Sequence, residues 1–176
     1  DENGGLICTL REHVHSEQCL ASAEGVQQEL TYEGADYTVS VSFGKEAALP
    51  EGVTLSVREI LQGTEEYESY SRQTQAALAA KQTEGAERVL FARFFDVQLL
   101  LNGQEVEPSA PVTVTVTYDK KVDVTGSDVS CRTVHFAEDG PEILKTESAD
   151  DPDSGATSFT HTQDSFSVMV CLVTQT

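Results

Sequence analysis

The sequence predicts a mostly β protein: an antiparallel β-sandwich with one amphipathic helix and a short N-terminal Cys/His appendage. Three observations predict it. Apolar residues recur at every second position over several segments, as in "DYTVSVSF" and "PVTVTVTYD". Turn signals separate those segments at intervals of about 8–12 residues. A single stretch, residues 64–82, carries helix-forming composition instead. Alternating βα units, which a parallel sheet needs, do not occur.

The elements follow in order. Residues 1–22 hold two of the four cysteines and two of the four histidines with little apolar content, and they read as a stapled appendage; residues 23–176 read as the sandwich module. "QQELTY" and "ADYTVSVSF" are strands, the second alternating at Tyr37, Val39, Val41 and Phe43, with "EGAD" as the turn between them. "LPEGVTLSVREI" gives a Pro-Gly turn and a strand through Val53, Leu55 and Val57. In "TEEYESYSRQTQAALAAKQ", Thr64 caps a helix, Glu65 and Glu66 suit its first turn, and Tyr67, Tyr70, Thr74, Ala77 and Leu78 form one stripe before Gly85 ends it. "RVLFARFFDVQLLL" is one long apolar strand or two, closed at Asn102-Gly103 by a hairpin signal. "PVTVTVTYD" is next, and "VSCRTVHFAEDG" with "PEILKTE" form a hairpin around Asp139-Gly140. "ADDPDSGA" reads as an exposed loop, while "TSFTHT" and "SFSVMVCLV" close the chain as strands, with Phe166, Val168 and Val170 facing inward.

Charge and hydropathy exclude several functions. Thirty acidic residues against eleven basic ones give a formal charge of −19. A nucleic-acid binder needs Lys and Arg to displace phosphate counterions, so this chain is repelled by nucleic acid and by anionic lipid. No apolar run of about 18 residues is present, so no membrane-inserted helix is expected. Gly-rich phosphate loops and a Gly-x-Ser-x-Gly elbow are absent. Asp150, Asp151 and Asp153 do not match a calcium loop and read as a solvated acidic stretch.

Cys8, His13, His15 and Cys19 form Cys-x4-His-x-His-x3-Cys, two thiols and two imidazoles within twelve residues. Zinc takes four such ligands tetrahedrally, and a closed set makes the ion structural rather than catalytic. A Cys8–Cys19 disulfide with solvated histidines is the alternative. Cys131 and Cys171 lie in strand-like apolar text and read as buried thiols, with a bridge between sheets as the other option.

"LICTLREHVHSEQC", "YTVSVSFGKEAALPEGVTLSVREI", "FFDVQLLLNGQEVEPSAPVTVTVTYD" and "DSFSVMV" resemble the β-rich ectodomain modules of wall-anchored surface proteins of gut Gram-positive bacteria. That resemblance implies secretion, cell-wall attachment outside this stretch of chain, neighbouring domains in the same protein, and a non-catalytic adhesion module. The partner it implies is a host extracellular protein such as immunoglobulin, bound in the manner of a B-cell superantigen. A structural spacer of a surface stalk is the second reading.

The step "SFS" near the C-terminus supports a third. It resembles the cleavage site of self-processing β-sandwich domains such as the function-to-find domain of inflammasome proteins, although Ser165 rather than His precedes the Phe. The resemblance implies that the Ser167 hydroxyl attacks the Phe166 carbonyl with a His as base. His161, six residues before Ser167, is the nearest candidate. A plain final strand is the competing reading.

The appendage generates the first prediction. Elemental analysis of purified protein gives about one zinc per chain; a metal-free chain that gains two daltons on reduction contradicts the zinc assignment.

Overall fold

The computed structural model describes residues 27–81, 87–124, 128–151 and 155–176; at 150, 151, 155 and 156 it describes the backbone alone. The predicted appendage, with Cys8, His13, His15 and Cys19, therefore lies outside the described residues. Eleven strands and one long helix make up the rest. The strands are β1 (Gln28–Glu33), β2 (Tyr37–Phe43), β3 (Thr54–Ile60), β4 (Arg88–Leu101), β5 (Gln104–Glu105), β6 (Val112–Val122), β7 (Val129–Ala137), β8 (Gly140–Lys145), β9 (Glu147–Asp151), β10 (Gly155–Gln163) and β11 (Val168–Gln175). The helix, α1, spans Glu65–Lys81.

Two antiparallel sheets pack face to face, as the period-two pattern requires. The first has the order β1-β2-β6-β10-β9, the second β3-β4-β11-β7-β8, with β5 paired to β4. Strands β2 and β6 alternate as read from sequence: Tyr37, Val39, Val41 and Phe43 are buried, as are Val112, Val114, Val116 and Tyr118. Their register sets Val39 opposite Val116 and Val41 opposite Val114, so branched side chains meet across the pair on the inner face. Phe95, Val97 and Leu99 of β4 and Met169, Cys171 and Val173 of β11 face them from the second sheet.

The helix lies on the outer face of the second sheet. Thr64 caps it, its Oγ1 accepting the Tyr67 N–H at 3.2 Å. Leu78, Tyr67 and Tyr70 pack onto a second cluster formed by Ile60, Phe94, Val134, Val168, Val170 and Leu172. Phe94 lies 4.9 Å from Tyr67 between ring centroids, and Phe136 lies 4.7 Å from Tyr70. This covering corrects the inward placement of Val168 and Val170: β11 is buried on both faces, Phe166 points between the sheets, and Val168 and Val170 point under the helix. A strand buried on both sides reads as a continuous apolar run, so "VMVCLV" carries no alternation from which its facing could be read.

A second difference concerns "ADDPDSGA". Glu147–Asp151 is an edge strand, paired with β10 through Ser148 opposite Phe159 and Glu147 opposite Thr160. An acidic edge discourages pairing with another chain, so strand geometry and acidic composition are compatible here. The long apolar segment 88–101 is one strand, and Asn102 (φ 52°) with Gly103 (φ 80°) turns it into β5, both central residues being left-handed as a type I′ turn demands.

Packing of this kind makes the core sensitive and the surface tolerant. Phe95→Ala, at a fully buried ring, is expected to cost ~3–5 kcal/mol in denaturant unfolding. Leu61→Ala, at a residue 60% exposed, changes stability by less than ~0.5 kcal/mol. Equal effects from the two substitutions contradict this assignment of the core.

Candidate active site

Strands β11, β7 and β8 lie side by side in the second sheet. Register places Met169 of β11 opposite His135 of β7, and His135 opposite Glu142 of β8. Directly opposed residues share a face, so Glu142 and His135 meet on the side that looks toward the first sheet. Ser167 lies two residues before Met169 and falls on that same side. The β7–β8 hairpin turns between Ala137 and Gly140, as the Asp139-Gly140 signal predicts, and Gly140 takes a φ of 124° that L side chains avoid.

The three side chains form a chain of contacts. Ser167 Oγ is 2.9 Å from His135 Nε2, and His135 Nδ1 is 2.9 Å from Glu142 Oε1. His135 is fully buried, and Glu142 reaches it from a half-exposed position. With the carboxylate accepting the Nδ1 proton, Nε2 presents its lone pair to the serine hydroxyl. The same hydroxyl has a second acceptor, the Phe136 carbonyl at 2.7 Å. The one hydroxyl proton can be donated to the carbonyl or turned toward Nε2.

The peptide preceding Ser167 is held on both sides. Residues 164–167 carry the chain from β10 in the first sheet to β11 in the second. Within this crossover the Phe166 ring is buried between the sheets, the Phe166 N–H donates to Glu107 Oε2 at 2.9 Å, and the Ser167 carbonyl accepts the Val97 N–H at 3.2 Å. A solvent-open cavity of about 1030 Å³ lies against Phe166 and Ser167, and Glu105, Glu107, Glu138, Asp139, Glu142 and Asp164 line it. Ser167 thus borders an open cavity with strongly acidic surroundings.

The structure separates the His161–Ser167 pair expected from sequence. His161 is not at Ser167. It projects from β10 in the first sheet, where Gln163 Oε1 accepts from Nε2 at 2.9 Å and Nδ1 lies 3.4 Å from Thr133 Oγ1 across the sandwich. Thr146 extends the network by donating to Thr133 Oγ1 at 2.9 Å. Burial is the main cause that pushes the His161 imidazole down to about 4, so it is neutral near pH 7 and both nitrogens are engaged. His135, which no sequence motif singled out, is the histidine that contacts Ser167 Oγ. The Asp139-Gly140 signal locates the hairpin but not its register: the loop residues are Glu138 and Asp139, and that sets His135 opposite Glu142.

No family model, curated protein or solved structure matches the chain.

Neither Cys131 nor Cys171 is in a disulfide, and burial pushes the Cys171 thiol up to about 12, which leaves it unreactive. Among the described residues no cluster of His, Cys, Asp or Glu is arranged to hold a metal ion, and no helix is long and apolar enough to cross a membrane. The four proposed zinc ligands are not among those residues.

His161 yields a prediction about pH. Its folded value of about 4 lies below its ordinary 6.5, so the unfolded chain binds the extra proton first. The stability it confers is complete above pH 6.5 and is lost as pH falls toward 4, by on the order of 3 kcal/mol. In denaturant unfolding, His161→Gln flattens that loss between pH 7 and 4.5; an unchanged loss in the variant contradicts the buried neutral imidazole.

Proposed function

We propose that the chain is a single-turnover self-processing β-sandwich that cuts its own Phe166–Ser167 peptide bond. One observation carries the proposal: Ser167 Oγ sits 2.9 Å from His135 Nε2, whose other nitrogen sits 2.9 Å from Glu142. The resemblance of "SFS" to self-cleaving sites points to the same bond.

His135 takes the Ser167 hydroxyl proton, and Oγ attacks the carbonyl carbon of Phe166, closing a five-membered ring. Glu142 stabilises the imidazolium that forms and keeps its ring oriented. Breaking the C–N bond passes the proton to the departing nitrogen. The result is an ester between the Phe166 carbonyl and Ser167 Oγ, with a free α-amine on Ser167. Water from the open cavity then hydrolyses the ester, leaving a Phe166 carboxylate and a chain beginning at Ser167. The nucleophile is consumed with its own substrate bond, so there is one turnover. Strand β11 keeps its ladders to β4 and β7, so cutting the connection before it does not remove it from the sheet.

Such a step is compatible with the extracellular surface-protein setting that the wider resemblance implies. Adhesion to a host partner such as immunoglobulin rests on that resemblance alone.

Mass spectrometry of the denatured protein is expected to show fragments 1–166 and 167–176. Ser167→Ala leaves the chain whole, and His135→Ala slows cleavage by ~10²-fold or more. Glu142→Gln slows it less, and His161→Gln cleaves like the parent chain. A wild-type chain that stays intact, or His161→Gln acting as the inactive variant in place of His135→Ala, overturns the proposal.

A further inference from the structure

The N–H of Phe166, in the peptide bond before the one proposed to break, is held by the carboxylate of Glu107. Its Oε2 accepts the Phe166 N–H at 2.9 Å across a sequence separation of 59 residues. Glu107 stands on the connection between β5 and β6, and that connection is tied on both sides of it. The Val106 N–H donates to the Leu99 carbonyl of β4 at 2.9 Å, and the Ser109 N–H donates to the Ala47 carbonyl at 2.8 Å. Pro108 between them is buried and has no N–H to satisfy. The carboxylate is thus delivered from a fixed backbone.

Three contacts then restrict the crossover. The Phe166 ring is buried between the sheets, its N–H is held by Glu107, and the Ser167 carbonyl is held by the Val97 N–H at 3.2 Å. The Phe166 carbonyl lies between these held groups, so they limit how it can turn relative to Ser167 Oγ. Attack on a carbonyl needs the reacting atoms about 3–3.5 Å apart and aligned, and a displacement of about 1 Å can cost ~10²-fold in rate.

We propose that Glu107 is a positioning residue for self-processing: by accepting the Phe166 N–H it fixes the acyl side of the scissile bond beneath Ser167 Oγ. The inference rests on the self-processing reading of the same site. Glu107 touches neither the hydroxyl nor the carbonyl, so it acts through the Phe166 backbone. Burial raises its carboxyl above the ordinary range, the Phe166 N–H opposes that rise, and Glu105, Glu138 and His135 face it. The hydrogen bond needs an acceptor rather than a charge, which separates this role from a general effect of the acidic cavity.

Two variants test it, with cleavage followed by mass spectrometry after expression and timed quenching. Glu107→Ala is expected to slow cleavage by ~10- to 100-fold. Glu107→Gln, whose side-chain carbonyl can accept the same N–H, is expected to cleave within about threefold of the parent chain. Each substitution is also placed in the uncleavable Ser167→Ala chain, where its effect on the unfolding midpoint is expected to be small. Parental cleavage by Glu107→Ala overturns the positioning role alone, as does equal slowing by Ala and Gln, or slowing that tracks lost stability. A parent chain that never cleaves overturns the positioning role together with the self-processing reading.

Discussion

The candidate site depends on the register of three neighbouring strands. In the order β11-β7-β8, Met169 faces His135 and His135 faces Glu142. A slip of one residue in either ladder would turn the histidine away from one of its partners, because side chains alternate between faces. Burial constrains the β11 side of this order. Cys171 and Met169 on one face belong to the core between the sheets, while Val170 and Leu172 on the other lie beneath the helix. Few strands are constrained so completely, and the strongest constraint falls on the one that begins next to Ser167.

The helix therefore matters to the site although it contributes no group to it. Tyr67, Tyr70 and Leu78 cover the outer face of the second sheet, the tyrosines meeting Phe94 and Phe136 edge to face. Phe136 follows His135, and its carbonyl is the second acceptor for the Ser167 hydroxyl. Packing on the outside of the sheet thus fixes the backbone that carries the histidine on the inside. The opposite end of the sandwich is braced differently. There Arg93 pairs with Asp36 and Glu59 and lies between 5.2 and 5.8 Å from the ring centres of Tyr37, Phe95 and Tyr118. Such a partly buried cation is held by geometry and by stacking as much as by charge.

Much of the fold was legible because its signals are local. Alternation at Val39, Val41, Val114 and Val116, the Asn102-Gly103 and Asp139-Gly140 turns, and the Thr64 cap all lie within a few residues and have a single structural consequence. The facing of β11 was not legible, since an uninterrupted run of Val, Met, Cys and Leu has no period. Ser167 could be singled out from "SFS", but the histidine beside it could not. His161 is six residues from Ser167 along the chain and belongs to the other sheet; His135 is 32 residues away and two ladder positions off. Nearness in sequence misleads wherever a chain crosses between sheets, and residues 164–167 are such a crossing. The pairing of β7 with β11 is non-local, and a single sequence holds no register for it.

Trapping the intermediate tests the central claim most directly. Attack by Ser167 on Phe166 passes through an ester, which hydroxylamine cleaves far faster than a peptide. Added to freshly made protein, hydroxylamine is predicted to accelerate cleavage and to leave a hydroxamate on the carboxyl end of Phe166, seen by mass spectrometry of the N-terminal fragment. A fragment ending elsewhere, or a hydroxamate that still forms when Ser167 is replaced by Ala, contradicts the account.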